Sequence, residues 1–209
     1  MIELLFATRN AHKTAEIRTI LGAQFQVNDL AEHPEIPQIA ETGRTFEDNA
    51  ILKAVTVSKH IPGFVVADDS GLEVDALGGA PGIYSARYAG PDASDNEKIE
   101  KLLEQLERVG APKNARRARF HCVLALARKG EVLGKFEGIV EGQIADRPRG
   151  SHGFGYDPIF IPNGFQGTFG ELEPAKKNHL SHRARALEKL RAFLIVRLAQ
   201  RKSDGDIPS

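Results

Sequence analysis

The sequence lacks the residues on which several classes of protein depend. It has no tryptophan and one cysteine, Cys122, in 209 residues, which excludes disulfides within one chain. Cys122 lies in the apolar segment RFHCVLALA, where a free cysteine ordinarily packs as a small buried side chain. We therefore predict that Cys122 belongs to the core and is not a nucleophile.

Net charge is absent as well, because Lys and Arg number 28 and Asp and Glu number 28. The broad positive field of a duplex-binding protein is missing, so we expect no nucleic-acid partner. The arginine cluster NARRARF (114–120) keeps an RNA binder as an alternative, whose affinity would depend steeply on salt.

Long apolar runs are missing too. No run approaches the ~18 residues of a membrane span, and the first residues, MIELLFATRN, become polar too soon for a signal peptide. We expect no membrane partner and a cytoplasmic location.

The apolar periodicity predicts strands alternating with helices early in the chain and hairpins later. The predicted strands are 2–8, 25–30, 64–70, 118–128 and 132–145, and the predicted helices are 11–22, 46–61, 94–109 and a long helix before residue 200. We predict an α/β fold with a mixed sheet, bilobed around a cleft, in one domain over residues 1–200. Residues 201–209 are predicted to be a polar, frayed tail.

The first strand is followed by ATRNAHK (7–13) and a helix. Unpaired N–H groups at a helix start attract anions, and Lys13 lies in the first turn. The alternative is that Asn10 only caps the helix. The glycines of a nucleotide-binding P-loop are missing.

The next helix is predicted to begin at Thr45, which forms a T-x-x-D capping pattern with Asp48. Asn49 and Lys53 then lie four residues apart on one helix face. Lys53 is a candidate phosphate ligand, with a solvated lysine as the alternative, and Glu41 in the preceding loop is equally undecided.

Two aspartates, Asp68 and Asp69, end the predicted strand FVVADDS. Neighbouring strand residues point to opposite faces, so we expect one aspartate to be functional and the other structural. Their hard oxygens suit Mg²⁺, which often takes one or two carboxylates. The alternative is a turn in which Asp69 and Ser70 cap backbone N–H groups.

Two later segments carry further candidates. GFGYD (153–157) places glycines around Phe154, so that backbone and ring can approach a flat ligand. KKNHLSHR (176–183) is a basic helix start. The seven histidines show no zinc-binding spacing.

Together, five segments resemble the inosine and xanthosine triphosphate pyrophosphatase family, the RdgB-like enzymes. They are ATRNAHKTAEI, ETGRTFEDNAILKA, ADDSGLEVDALGGAPGIYSARYAG, GFGYDPIF and KKNHLSHRARAL. The resemblance implies a homodimeric, Mg²⁺-dependent hydrolase with an elongated mixed sheet flanked by helices. Its substrates would be ITP, dITP and XTP, cut to the monophosphate and pyrophosphate.

The resemblance also implies roles for individual residues. Glu41 and Asp69 would hold Mg²⁺, and the catalytic residues would be Asp69, as the base that activates water, with Lys53 and Asp68. The implied substrate-binding residues are Thr8, Arg9, Asn10, Ala11, His12, Lys13, Ser70, Phe154, Gly155, Tyr156, Asp157, Lys177, His182 and Arg183. Arg9 stands where many relatives carry glycine, and Ala40 stands where some carry glutamate.

Two other functions stay open at this point. A Maf-like nucleotide pyrophosphatase performs a similar reaction on other bases, although GFGYD and SHR fit it poorly. A nucleotide sensor would bind without turnover, and an assay with ITP and Mg²⁺ separates it from an enzyme.

Overall fold

The computed structural model describes residues 1–203, except for the side chains of residues 113 and 198–203. Six strands form one mixed sheet in the order β2-β1-β3-β4-β5-β6. They are β1 (Ile2–Phe6), β2 (Phe25–Asp29), β3 (Phe64–Val74), β4 (Arg117–Arg128), β5 (Glu131–Ile144) and β6 (Phe160–Pro162). The first three strands are parallel and the others antiparallel, which confirms the predicted α/β fold with a mixed sheet.

Five α-helices flank the sheet. They are α1 (Ala11–Leu21), α2 (Phe46–Ser58), α3 (Asp95–Arg108), α4 (Pro174–Leu180) and α5 (His182–Ser203). Side-chain oxygens of Asn10, Thr45 and Ser94 accept hydrogen bonds from first-turn N–H groups, so local sequence sets where the first three helices begin. No helix among the described residues is long and apolar enough to cross a membrane.

The buried apolar residues form three clusters. One lies on the sheet face covered by α1 and α5, and includes Val66 and Leu187. The second lies on the opposite face under α2, and includes Ala67 and Ala54. The third packs α3 against the far ends of β3, β4 and β5. The long strands therefore join two lobes, and the buried polar groups of β3 lie between them.

Four sequence expectations need correction. The aspartates do not end a strand, because β3 continues to Val74 and pairs with β4 on both sides of them. Residues 160–162, which are not among the predicted strands, form β6. The basic segment at 176–183 does not start one helix, since Ser181 separates α4 from α5. Residues 201–203 of the predicted tail continue α5, and 204–209 lie outside the described residues.

Candidate functional site

Asp68 and Asp69 lie in the middle of β3 and point to opposite faces of the sheet, as strand geometry predicts. Asp68 contacts Lys13 of α1 and Arg183 of α5. Asp69 contacts Asn49 and Lys53 of α2 instead. The two carboxylates are both buried, yet they belong to different networks. The alternative of a capping turn at Asp69 and Ser70 is wrong, because the strand does not turn there.

The Asp69 network is centred on the ammonium of Lys53. Lys53 Nζ donates to Glu41 Oε1 (2.9 Å), Asp69 Oδ1 (3.0 Å) and the carbonyl of Asp68 (2.8 Å). The Lys53 side chain is only 11% exposed, so it is not a solvated lysine. Arg87, just before α3, also donates to Glu41 Oε2 at 2.7 Å.

The pKa values of Asp69 and Glu41 shift in opposite directions. Burial raises the pKa of Asp69, and the nearby Glu41 raises it further, against the opposing charge of Lys53. Burial also acts on Glu41, but the charges of Lys53 and Arg87 outweigh it and lower the pKa of Glu41. Asp69 is therefore the better proton acceptor of the two near neutral pH.

The same oxygens fit a magnesium ion. Glu41, Asp69 and the Asp68 carbonyl converge on one cation, the Lys53 ammonium, and hard oxygens of this kind suit Mg²⁺. Residues 1–203 contain no group of three or more His, Cys, Asp or Glu side chains placed to hold a metal. Mg²⁺ does not need one, because it commonly takes one or two carboxylates and completes its shell with phosphate and water.

Asp68 forms a separate network of charged and polar groups on the other face. Its oxygens accept from Lys13, from Arg183 Nε (2.8 Å) and from Ser70 Oγ (2.9 Å). Burial alone would raise its pKa, but Arg183 and Lys13 hold the pKa of Asp68 well below its usual range. Cys122 donates its S–H to Asp68 and is fully buried, where burial raises the pKa of the thiol. These features match its predicted place in the core.

At the start of α1, Asn10 acts as the helix cap that the sequence offered as the alternative to an anion site. Asn10 Oδ1 accepts from the N–H of Lys13, and Thr8 Oγ1 accepts from the N–H of Asn10. Ala11 is the first helical residue. The Arg9 guanidinium instead donates to the carbonyls of His33 and Ile36, so it anchors the 33–36 segment.

The loop GFGYD is held in place by Asp157 and Lys177. Asp157 Oδ2 accepts from the N–H of Phe154 (2.8 Å) and from Lys177 Nζ (2.6 Å). Gly153 has φ +77°, and a Cβ there would lie 2.0 Å from Asp157 Oδ2, so only glycine fits. Gly155 also has a positive φ. Tyr156 is buried, and its hydroxyl donates to the Ser85 carbonyl.

Charged and aromatic groups surround the Phe154 ring. His12 stacks on it with ring centroids 5.6 Å apart, and Lys177 and Arg183 lie over it at 4.9 and 5.7 Å. His182 stacks instead on Phe120 at 4.8 Å. Burial and the Arg183 charge lower the pKa of His182 well below its usual range, so His182 is neutral.

These groups line two adjoining cavities. The carboxylate cavity, about 380 Å³, is lined by Thr8, Arg9, Asn10, Lys13, Glu41, Lys53 and Asp68 among others. The aromatic cavity, about 140 Å³, is lined by Ser70, Asp95, Lys98, Phe154, Tyr156, Lys177, His182 and Arg183 among others. Asn10, Lys13 and Ala86 border both. A larger open groove of about 930 Å³, between residues 42–47 and 78–84, contains none of the predicted site residues.

The structure thus brings most of the predicted site residues to these two cavities. Ala11, His12 and Asp69 line neither cavity, and Asp69 adjoins the carboxylate cavity through its contact with Lys53. The structure also adds four residues that sequence reasoning missed. Glu16 bridges Lys177 Nζ, at 2.6 Å, and Arg183. Arg87 holds Glu41, and Asp95 and Lys98 of α3 line the aromatic cavity. The residue spacing of α3 indicated only an amphipathic helix, and no local signal marked any of the four.

This geometry defines a class of protein. It is an α/β protein in which carboxylates grouped around a lysine lie beside an aromatic cavity. The sequence profile of the Ham1 family matches residues 4–193, and the chain belongs to that family.

Individual relatives agree with this assignment. The chain is 50% identical to a dITP/XTP pyrophosphatase of Bacillus subtilis and 48% identical to one of Bacillus licheniformis, each over 93% of this chain and 98% of the relative. The structure of a HAM1 protein from Coxiella burnetii superposes with a TM-score of 0.83 at 44% identity, covering 93% of this chain and 99% of that one. The structure of a nucleoside-triphosphatase from Mycobacterium abscessus superposes with a TM-score of 0.73 at 43% identity. The match covers 90% of this chain and 98% of that one.

Proposed function

We propose that this protein hydrolyses deaminated purine nucleoside triphosphates (ITP, dITP and XTP) to the monophosphate and pyrophosphate. The names of the Bacillus relatives support the reaction. The observation that carries the proposal is the junction of the two cavities at Asn10 and Lys13. One cavity offers lysines and a helix start to phosphates, and the other offers aromatic faces to a base.

The chain's own residues have distinct parts in this reaction. The N–H groups at the start of α1, with Lys13, bind the phosphates, and Lys53 spreads the charge of the leaving pyrophosphate. Asp69 holds the attacking water and takes its proton as the water oxygen bonds to the α-phosphorus. The bond from that phosphorus to the bridging oxygen then breaks. The raised pKa of Asp69 suits this proton transfer.

Glu41 and Asp69 would hold Mg²⁺. When bound, the ion would polarise phosphoryl oxygens and stabilise negative charge on the leaving group. Asp68 acts differently, because it fixes Lys13, Ser70 and Arg183 between the two cavities.

Base selection follows from donors and acceptors in the aromatic cavity. Hypoxanthine and xanthine carry an acceptor oxygen at position 6, where adenine carries an amino donor. Arg183 only donates, and it also serves Asp68, Glu16 and Ser70. Among the described residues, His182 Nδ1 is buried without a hydrogen-bond partner. We assign His182 and the remaining N–H groups of Arg183 to the 6-edge of the base.

The deciding experiment is incubation of the protein with ITP and Mg²⁺, followed by phosphorus NMR. The expected products are IMP and pyrophosphate, with much slower reaction of ATP and none after chelation of the metal. IDP and orthophosphate would contradict the proposed cut. Tight ITP binding without turnover would make the protein a sensor, and preference for other bases would favour a Maf-like enzyme.

Assembly and location are part of the proposal. The resemblance of its motifs implies a homodimer, and we place the protein in the cytoplasm, the location expected from the sequence. Light scattering coupled to size-exclusion chromatography tests the dimer, and a mass near the 22.8 kDa of one chain would contradict it.

A further inference from the structure

One wall of the aromatic cavity comes from α3, a helix whose polar face carries no signal of function in the sequence. Asp95 and Lys98, in its first turn, line the cavity together with Ser70, Tyr156 and Arg183. The Lys98 side chain is only 14% exposed, so its ammonium is not a freely solvated surface charge.

Lys98 is held by a fixed partner. Its Nζ donates to Asp95 Oδ1 at 3.0 Å, and Asp95 Oδ2 accepts from the N–H of Gly155 at 2.6 Å. Burial would raise the pKa of Asp95, but the Gly155 N–H and Lys98 lower it, so Asp95 stays ionised. An ammonium has three N–H donors, and Asp95 takes one of them. The α3 wall therefore presents a donor to the cavity.

Another wall comes from α4 and α5 and carries Lys177, His182 and Arg183. With its 6-edge on His182 and Arg183 as proposed above, a purine carries position 2 on an adjacent edge, and the α3 wall offers that edge a charged donor. The substituent at position 2 is the feature that separates the candidate bases. It is hydrogen in hypoxanthine, a carbonyl oxygen in xanthine and an amino group in guanine.

We propose that Lys98, held by Asp95, is a specificity-determining residue that recognises the 2-oxygen of xanthine. This inference rests on the proposed function of the site. Lys98 can only donate, so it matches the xanthine oxygen, makes no bond to hypoxanthine and opposes the amino donor of guanine. Xanthine also loses a ring proton readily and shares the resulting negative charge with its 2-oxygen, which strengthens the match to an ammonium.

The test compares Lys98→Met with Lys98→Arg and with a matched control, Lys101→Met. Lys101 lies one turn further along α3 and donates to the Tyr88 carbonyl outside the cavity. For each protein, kcat/KM is measured with ITP, XTP and GTP, and the affinities for XMP and IMP are measured by calorimetry. Turnover of ITP also reports whether each variant is folded.

Lys98→Met should lower kcat/KM for XTP by about tenfold or more, the range for a hydrogen bond to a charged group. The value of kcat/KM for ITP should stay within about twofold of the wild-type value, because hypoxanthine offers Lys98 no acceptor at position 2. In Lys98→Met, kcat/KM for GTP should rise relative to that for XTP. Lys98→Arg should keep most of the wild-type kcat/KM for XTP. Lys101→Met should leave all ratios between the nucleotides unchanged.

An unchanged XTP to ITP ratio in Lys98→Met, or equal losses on all three nucleotides, would overturn the inference and leave the proposed function standing. If the wild-type protein cleaves none of the triphosphates, the proposed function fails. In that case the calorimetry decides the inference. A selective loss of XMP affinity in Lys98→Met supports it, and an unchanged ratio of XMP to IMP affinity, or binding of neither, refutes it.

Discussion

At the residue scale, Asp68 and Asp69 show how surrounding side chains give two identical carboxylates different properties. Asp69 shares a lysine with Glu41 and has a raised pKa, whereas Asp68 is locked between two cations and has a lowered one. The pair therefore separates into a proton acceptor and a fixed anion. Each assignment leads to a different result when the carboxylate is replaced by an amide.

Asp69→Asn should lower turnover of ITP by ~10²-fold or more, because a general base or metal carboxylate is lost. The fold should persist, since Asn49 and Lys53 keep a polar partner. Steady-state pyrophosphate release and a thermal unfolding curve test both parts. A near-normal rate would remove Asp69 from the base role.

Asp68→Asn should act mainly on stability. Arg183 and Asp68 are both buried, and removing one partner of a buried ion pair costs about 3–5 kcal/mol. Urea unfolding measures the loss. The control is Asp75→Asn, because Asp75 pairs with Arg119 at the surface, with side chains 44% and 31% exposed, where such pairs contribute ~0–1 kcal/mol. Equal effects of both changes would contradict this account.

At the scale of elements, the position of α5 on β5 decides where His182 and Arg183 stand. Gly138 of β5 lies directly under the first turn of α5. A Cβ at Gly138 would lie 2.0 Å from the His182 carbonyl oxygen and 2.7 Å from the Ala186 nitrogen. Both are backbone atoms, so the clash is relieved only by moving the helix.

Gly138→Ala should therefore destabilise the protein by about 1–3 kcal/mol, as overpacking typically does, and slow ITP turnover by shifting His182 and Arg183. Gly167→Ala is the matched control, since the nearest atoms to its Cβ would be those of the Glu171 side chain, at 3.4 Å and beyond. Urea unfolding and ITP kinetics are measured on both. A Gly138→Ala enzyme with unchanged stability and unchanged ITP turnover would show that α5 does not pack on β5 as described.

At the scale of the whole molecule, the buried site should make stability depend on pH. Burial and Arg183 lower the pKa of His182. Below the unfolded-state pKa of about 6.5, the unfolded chain therefore binds a proton that the folded chain does not. Stability should fall as pH decreases from 7 to 5, with His182 contributing up to about 1.4 kcal/mol per pH unit.

His182→Gln isolates this contribution, because glutamine does not titrate. The Tm of the variant should change less between pH 7 and pH 5 than that of the wild type. Carboxyls that titrate in both proteins contribute equally and cancel from the comparison. Parallel Tm curves would show that His182 is not buried in its neutral form.

The molecule also shows which parts of a site the sequence can predict. The short β6 was missed because its three residues have little local signal and pair with β5 across a long loop. The role of α3 was missed because periodicity separates an apolar face from a polar one and does not say what the polar face meets. Here Asp95 meets Gly155, 60 residues further along the chain.

The sequence by itself determined five of the six strands, the starts of the first three helices and the opposite directions of Asp68 and Asp69. These features depend on residues a few positions apart. Only the tertiary structure decided which aspartate meets which cation, because Arg183 reaches Asp68 across 115 residues and Glu16 across 167. Burial then raises the pKa of Asp69, whereas Arg183 and Lys13 lower the pKa of Asp68 against burial, which no local pattern can show.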